Sequence, residues 1–444
     1  MTGSNKIFFW SVISALAGLL FGFDTVVISG AELSLQKLWS SSAFFHGVVV
    51  MSSALWGTVI GAIFGGIPTD RIGRRQTLIW IGVLYFVSAV GSALANDPWT
   101  FAVFRFIGGL GVGASTVAAP AFISEIAPAL KRGRLVALYQ FNIVLGILLA
   151  FVSNFLLSGI AHDAWRWMMG AEALPALVYT ILVFFVPESP RWLMVRRKDK
   201  EGAARILRQI LPESEVAVEL EQIAAHEHSV AGGERIFDAK YRFPLLLAFL
   251  IAFFNQFSGI NAFLYYAPRI FELAGLEASS ALLSSIGIGV TNLVFTLVGL
   301  SLIDKFGRRQ LMLIGSVGYI VSLSLVALAF FLKWQGVAVP VFLFLFIASH
   351  AIGQGTVIWV FISEIFPNHL RASGQAFGSS THWVLAASIP ALVPVLFESI
   401  GAGVVFACFA FMMVLQLVFV VAMMPETKGV PLEVLEEKLI KSAK

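Results

Sequence analysis

IFFWSVISALAGLLFGFDTVVISG, residues Ile7–Gly30, is one apolar stretch with a single charge, Asp24, well inside it. About 20 apolar residues suffice to cross a bilayer as a helix. This stretch is too long for the apolar region of a signal peptide and lacks an A-x-A cleavage site, so it reads as a first membrane helix. Further apolar stretches lie near residues 44–68, 76–95, 99–127, 133–160 and 165–187, and then near 243–273, 279–303, 309–332, 338–366, 371–397 and 401–424. The composition agrees: 58% of the 444 residues are hydrophobic and 13% charged, against about 25% charged in soluble domains. In lipid every backbone N–H and C=O must find its partner within the chain, so the expected fold is all-α, with twelve transmembrane helices.

The stretches fall into two sets of six around one long polar region. The expected organisation is a six-helix bundle over residues 1–190, a cytoplasmic helical linker over 191–242, a second bundle over 243–428 and a cytoplasmic tail over 429–444. Within the linker, Ile206, Leu207, Ile210 and Leu211 share one helical face, as do Leu220 and Ile223. Basic residues collect after helices 2, 4, 6 and 8 (Arg71, Arg74 and Arg75; Lys131, Arg132 and Arg134; Arg191, Arg196, Arg197 and Lys198; Lys305, Arg308 and Arg309). These ends share one side, and the positive-inside rule places both termini in the cytoplasm. The net charge of +4 is read as loop charge, not as a nucleic-acid footprint. The single cysteine, Cys408, sits in an apolar run and reads as a small buried hydrophobe.

The two sets repeat each other in words. GGIPTDRIGRR (Gly65–Arg75) returns as LIDKFGRR (Leu302–Arg309), SEIAPALKRG (Ser124–Gly133) as SEIFPNHLRASG (Ser363–Gly374), and PESPR (Pro187–Arg191) as PETKG (Pro425–Gly429). A duplicated six-helix unit is a transporter signature. Asp24 also has a candidate partner, Arg105, inside FAVFRFIGGLGVG (Phe101–Gly113). An acid and a base held in hydrocarbon on two helices suit a proton-driven carrier. A static ion pair that specifies helix packing is the competing reading.

The set G-x-x-x-D-R-x-G-R-R, PESPRWL, Q-x-x-G-I-N-x-x-x-Y-Y and PETKG resembles the sugar porter family of the major facilitator superfamily, from about Gly18 to Gly429. The resemblance implies two bundles, a monosaccharide site near the midplane and alternating access by rocking. It implies proton coupling through Asp24 and Arg105. It implies a neutral, amide-rich sugar site, since sugar hydroxyls donate and accept and an amide answers either. The seventh stretch offers Asn255, Gln256, Asn261, Tyr265 and Tyr266 in FNQFSGINAFLYY. Gln256 and Asn261 stand about 140° apart on a regular helix, and Gly259 between them permits a local break that turns both to one cavity. Asn292, Gln140, Trp359 and Trp383 match family positions that bind sugar or line the cavity. The cytoplasmic charges are read as gating salt bridges that hold the inner ends together in one state: Asp70, Arg74, Arg75, Glu125, Arg132, Glu188 and Arg191, then Asp304, Arg308, Arg309, Glu364, Arg371 and Glu426. Topology signals with ordinary surface pairs are the competing reading. Four residues depart from the family pattern: Asn255 where Gln is usual, His382 before Trp383, Ile147 on helix 5 and Thr356 near Trp359.

No enzyme constellation stands out. The glycines of GGLGVG (Gly108–Gly113) lack the preceding strand of a nucleotide loop and read as close helix packing. The histidines are scattered, with no metal-ligand cluster, and no cofactor is expected. The expected function is proton-coupled symport of a monosaccharide, an aldohexose such as glucose or galactose before xylose. A facilitative uniporter and a transporter-like receptor are the alternatives. Expected partners are the sugar, protons and membrane lipid, with no nucleic acid. The protein is expected to be a monomer in a bacterial inner membrane.

Overall fold

The computed structural model describes residues 3–128, 131–228, 236–334, 336–367 and 370–430, with Leu435 and Leu439. Most of the expected tail, 429–444, therefore lies outside the described residues. The fold is all-α. In chain order the helices are α1 (Gly3–Leu38), α2 (Ala43–Arg71), α3 (Arg74–Leu94), α4 (Pro98–Ile126), α5 (Arg132–Leu157), α6 (Ala164–Gly170) and α7 (Ala173–Val183). The linker carries α8 (Lys200–Leu207) and α9 (Glu213–His228). Then come α10 (Arg242–Phe257), α11 (Ile260–Leu273), α12 (Ala278–Phe306), α13 (Arg308–Phe331), α14 (Ala338–Ile352), α15 (Gln354–Glu364), α16 (Arg371–Ser399) and α17 (Ala402–Ala422).

Among the described residues, eleven helical spans are long and apolar enough to cross a membrane, counting α10 with α11 and α14 with α15 as one each. The sixth apolar stretch forms α6 and α7, with a turn at Ala171 and Glu172 between them. Pro175 has no N–H to return to the carbonyl of Ala171, which favours a break there.

Contacts divide the chain into two compact units. The first comprises Met1–Thr25, Ala54–Ile147 and Met169–Gly233; the second comprises Val26–Ser53, Leu148–Met168 and Glu234–Lys444. In the first unit α2 and α4 approach through small residues. A Cβ built on Gly109 would lie 1.9 Å from the carbonyl oxygen of Ala54, and one on Gly57 would lie 2.2 Å from that of Phe106. The GGLGVG glycines are thus packing residues, as expected. The linker helices bury Ala203, Ala204, Leu207, Val216 and Leu220, with Leu193, Met194, Ile210 and Leu211 packed against them; of the two expected faces, Leu207, Ile210, Leu211 and Leu220 join this cluster, while Ile223 is half-buried outside it. In the second unit, the C-terminal part of α5 is tied to α1 by Asn154 Nδ2, which donates to the Val27 carbonyl at 3.0 Å.

Cys408 is a correction. It is exposed on α17, not buried. An apolar run in a membrane protein shows depth in lipid but not which face turns inward, because both faces are apolar.

The sequence repeat is also a structural repeat, at the helix ends that carry the basic motifs. Gly73 and Gly307 both take positive φ, +101° and +90°, a conformation that costs glycine little. A Cβ there would also collide with Glu188 or Glu426. Glu188 Oε1 accepts from the backbone N–H groups of Arg74 and Arg75 at 2.9 and 3.2 Å. Glu426 accepts from those of Arg308 and Arg309 at 2.9 and 3.1 Å. Each acid thus satisfies the free donors at the start of α3 or α13, where the helix dipole favours a negative charge. Burial pushes the Glu188 carboxyl up while these N–H donors pull it down.

Candidate functional site

In the first unit, Asp24 on α1 and Arg105 on α4 meet. Both are 1% exposed. Arg105 donates through Nη1 to Asp24 Oδ1 and through Nη2 to the Asp24 carbonyl oxygen at 2.8 Å. Gly108, one turn along α4, leaves room for this: a Cβ there would lie 2.4 Å from Ser88 Oγ and 3.3 Å from Asp24 Oδ1.

A third ionisable residue, unforeseen in the sequence, completes the cluster. Glu172, at the turn between α6 and α7, is 1% exposed and lies within hydrogen-bonding reach of Asp24. Asp24 Oδ2 and Glu172 Oε1 are buried and have no donor among the described residues. Two carboxylate oxygens form a hydrogen bond only when a proton lies between them. Two buried acids thus face one buried arginine. The signal that exposed Asp24, an acid in an apolar stretch, was present at Glu172 as well. Nearby, the Tyr139 hydroxyl on α5 lies 2.9 Å from Ser115 Oγ on α4. Gln140 follows on α5, half-buried.

In the second unit the expected amides come together. The helix breaks at Gly259, φ +83°, and Asn261 Nδ2 donates to Gln256 Oε1 at 2.9 Å. Gln256 Nε2 donates to Asn255 Oδ1 at 2.9 Å and lies 3.2 and 3.3 Å from the ring nitrogens of His382. The His382 ring sits between two indoles, with centroids 5.0 Å from Trp359 and 4.9 Å from Trp383. Asn255 is 2% and Gln256 1% exposed, while Asn261 is half-buried. Tyr265 is buried, and the Tyr266 hydroxyl donates to the Pro390 carbonyl at 2.9 Å. Asn292, on α12, is 7% exposed and accepts from Thr296 Oγ1 at 3.5 Å. Amides with aromatic faces beside them suit a neutral polyhydroxyl ligand, whose C–H faces stack and whose hydroxyls bond.

A second buried ion cluster lies in this unit. Arg269 on α11 donates through Nη1 to Glu32 on α1 at 2.8 Å and to Gln36 at 2.9 Å. His46 Nε2 lies 3.2 Å from the same Glu32 oxygen but is not aligned for a hydrogen bond.

Of the charges expected to form gates, Arg74 grips Glu125 through Nη2 and Nε at 2.9 and 3.0 Å, and Asp70 through Nη1 at 3.1 Å. Arg308 repeats this on Glu364 at 2.7 and 3.0 Å and on Asp304 at 3.4 Å. Arg75 and Arg309 instead donate to carbonyls, of Phe184 at 2.9 Å and Val421 at 2.7 Å. Each of these triads closes within one unit. Arg132 and Arg191 are exposed and form no ion pair among the described residues. Arg371, at the start of α16, is half-buried.

The sequence pattern of the family described as sugar (and other) transporter matches residues 10–439. The chain belongs to this family. The arabinose-proton symporter of Bacillus subtilis is 36% identical over 453 residues, covering 99% of this chain and 97% of that protein. The glucose transporter GlcP of Staphylococcus epidermidis is 35% identical, covering 96% of each. The inward open structure of the xylose transporter XylE from E. coli superimposes with a TM-score of 0.87 at 33% identity, covering 97% of this chain and 99% of that one. The protein is therefore a multi-pass integral membrane protein with the major facilitator fold, a transporter and not an enzyme.

Proposed function

We propose that this sugar transporter imports a monosaccharide together with protons by alternating access. The observation that carries the reading is the buried Asp24–Arg105–Glu172 cluster, with a carboxylate oxygen on each acid lacking a donor. With a proton between the acids, Arg105 faces one negative charge instead of two, and its hold on Asp24 weakens. That change biases the equilibrium between conformers, and a ligand or proton shifts it only by its differential affinity for the two. Support for the substrates comes from relatives named for arabinose-proton symport and for glucose.

An aldohexose, glucose or galactose, is the first reading of the cargo. A pentose is the second, favoured by the relatives named for arabinose and xylose. Gln256, Asn261 and Gln140 are read as sugar ligands, with Asn255, Tyr265, Asn292, Trp359 and Trp383 lining the site. The cytoplasmic triads are read as gates whose strength depends on state. We place the protein in a bacterial inner membrane with both termini in the cytoplasm, acting as a monomer.

The test uses proteoliposomes. Adding D-glucose, D-galactose or D-xylose to the wild-type protein is expected to make the external medium alkaline and to load sugar uphill under an inward proton gradient. Counterflow without alkalinisation would identify a uniporter. Binding without counterflow would identify a receptor.

A further inference from the structure

The amides of the second unit form one unbroken chain that runs far beyond the residues expected to touch sugar. Asn261 donates to Gln256 and Gln256 to Asn255, as above. Asn255 Nδ2 then donates to Gln354 Oε1 on α15 at 3.4 Å. Gln354 Nε2 donates to Gln416 Oε1 on α17 at 2.9 Å. Gln416 Nε2 donates to Ser316 Oγ on α13 at 2.8 Å, and Ser316 Oγ donates to the Met312 carbonyl at 2.7 Å. Gln354, Gln416 and Ser316 are each 0% exposed.

The chain has a forced direction. A serine hydroxyl carries one proton, and that of Ser316 is committed to Met312. Ser316 therefore accepts from Gln416, which presents its nitrogen to Ser316 and its oxygen to Gln354. The same constraint passes along Gln354, Asn255 and Gln256 to Asn261. Turning any buried amide around would set oxygen against oxygen on one side and nitrogen against nitrogen on the other, stranding polar groups that are costly to bury unpaired. At the half-buried end, Asn261 has one N–H committed to Gln256 and its Oδ1 left as an acceptor. Asn255 has both ends of its amide committed and is 2% exposed.

We infer that Gln354, Gln416 and Ser316 are positioning residues that fix the amide orientation of Gln256 and Asn261, so that the site offers an acceptor to a sugar hydroxyl at Asn261. Asn255 then serves as a link in the chain and not as a sugar ligand. The inference rests on the proposed sugar site and adds three residues that never meet the sugar.

The test compares D-glucose and D-xylose with their monodeoxyfluoro analogues, in which fluorine can accept but not donate. In the wild type, one fluoro position is strongly disfavoured, because two acceptors face each other at Asn261. Ser316→Ala and Gln416→Met free the amides to turn. The parent-to-fluoro ratio of kcat/KM at that position is expected to fall about fivefold to tenfold, the worth of one hydrogen bond, with the change in KM and little in kcat. Ser316→Thr keeps the hydroxyl and is expected to keep the wild-type ratio. An unchanged ratio in both Ser316→Ala and Gln416→Met, with uptake retained, would overturn the inference. A loss of uptake that is equal for parent and analogue would do so too, since that is what a purely structural role gives. If either variant is too unstable to assay, the ratio in the other decides. Absence of any counterflow in the wild type would instead remove the sugar site itself.

Discussion

Two buried polar assemblies stand in contrast. The Asp24–Arg105–Glu172 cluster of the first unit is charged and has acceptors left over. The Asn261-to-Ser316 chain of the second unit is neutral, and each link pairs a donor with an acceptor. Both lie in surroundings where an unpaired polar group is expensive. In the proposed mechanism the charged cluster takes up a proton, so its state follows the proton supply. The amide chain is closed already, so it keeps one orientation and can discriminate between ligands. A proton-coupled carrier needs both behaviours, one variable and one fixed.

The sharpest break of the contrast is Asp24→Asn. It removes the variable proton, and the accumulation ratio in liposomes under a proton gradient is expected to fall to unity while counterflow persists. Arg105→Leu comes next. It leaves two buried acids without a cation, and unpairing a buried charge costs about 3–5 kcal/mol. A large drop in the thermal midpoint in detergent is expected, and a midpoint within a degree of wild type would contradict the ion-pair account. Glu172→Gln places a permanent donor beside the Asp24 carboxyl and mimics the shared proton. The dependence of uptake on external pH is expected to flatten, with folding retained. Gln354→Met cuts the amide chain and strands Asn255 and Gln416, at about 1–3 kcal/mol. Its pH profile of uptake is expected to overlay that of the wild type; a shifted profile would mean that the two assemblies are not separate in function. Gly108→Ala has the smallest effect. Its methyl would meet Ser88 Cβ at 2.9 Å as well as the hydroxyl, so the hydroxyl must turn and α3 must give slightly; a modest fall in the coupling ratio is expected, read as protons per sugar.

Much of this was legible in the sequence. Asp24 and Arg105 were visible because a charge in an apolar stretch has few other reasons to be there. Gln256 and Asn261 were singled out by the family resemblance, and Gly259 between them supplies the break that brings them together. Glu172 carried the same signal as Asp24 but lies where the sixth stretch breaks into α6 and α7, a break that hydropathy does not show. Gln354 and Gln416 each look like an isolated amide in an apolar run. Their pairing spans 62 residues, and nothing local reports a partner that far along the chain. The exposed face of Cys408 was misjudged because lipid and protein interior select the same side chains. Similarly, Glu32, His46 and Arg269 read singly as ordinary residues at helix ends, and only folding gathers them.

By itself the sequence determined that this chain crosses a membrane many times in two repeated sets, and that it carries an acid and a base in lipid. Those properties follow from length, hydropathy and local motifs, which act on neighbours along the chain. The tertiary structure alone decided which polar groups meet, how many protons they need and which way each amide points. Hydrogen-bond valence is settled only when side chains from different helices are brought within about 3 Å of each other.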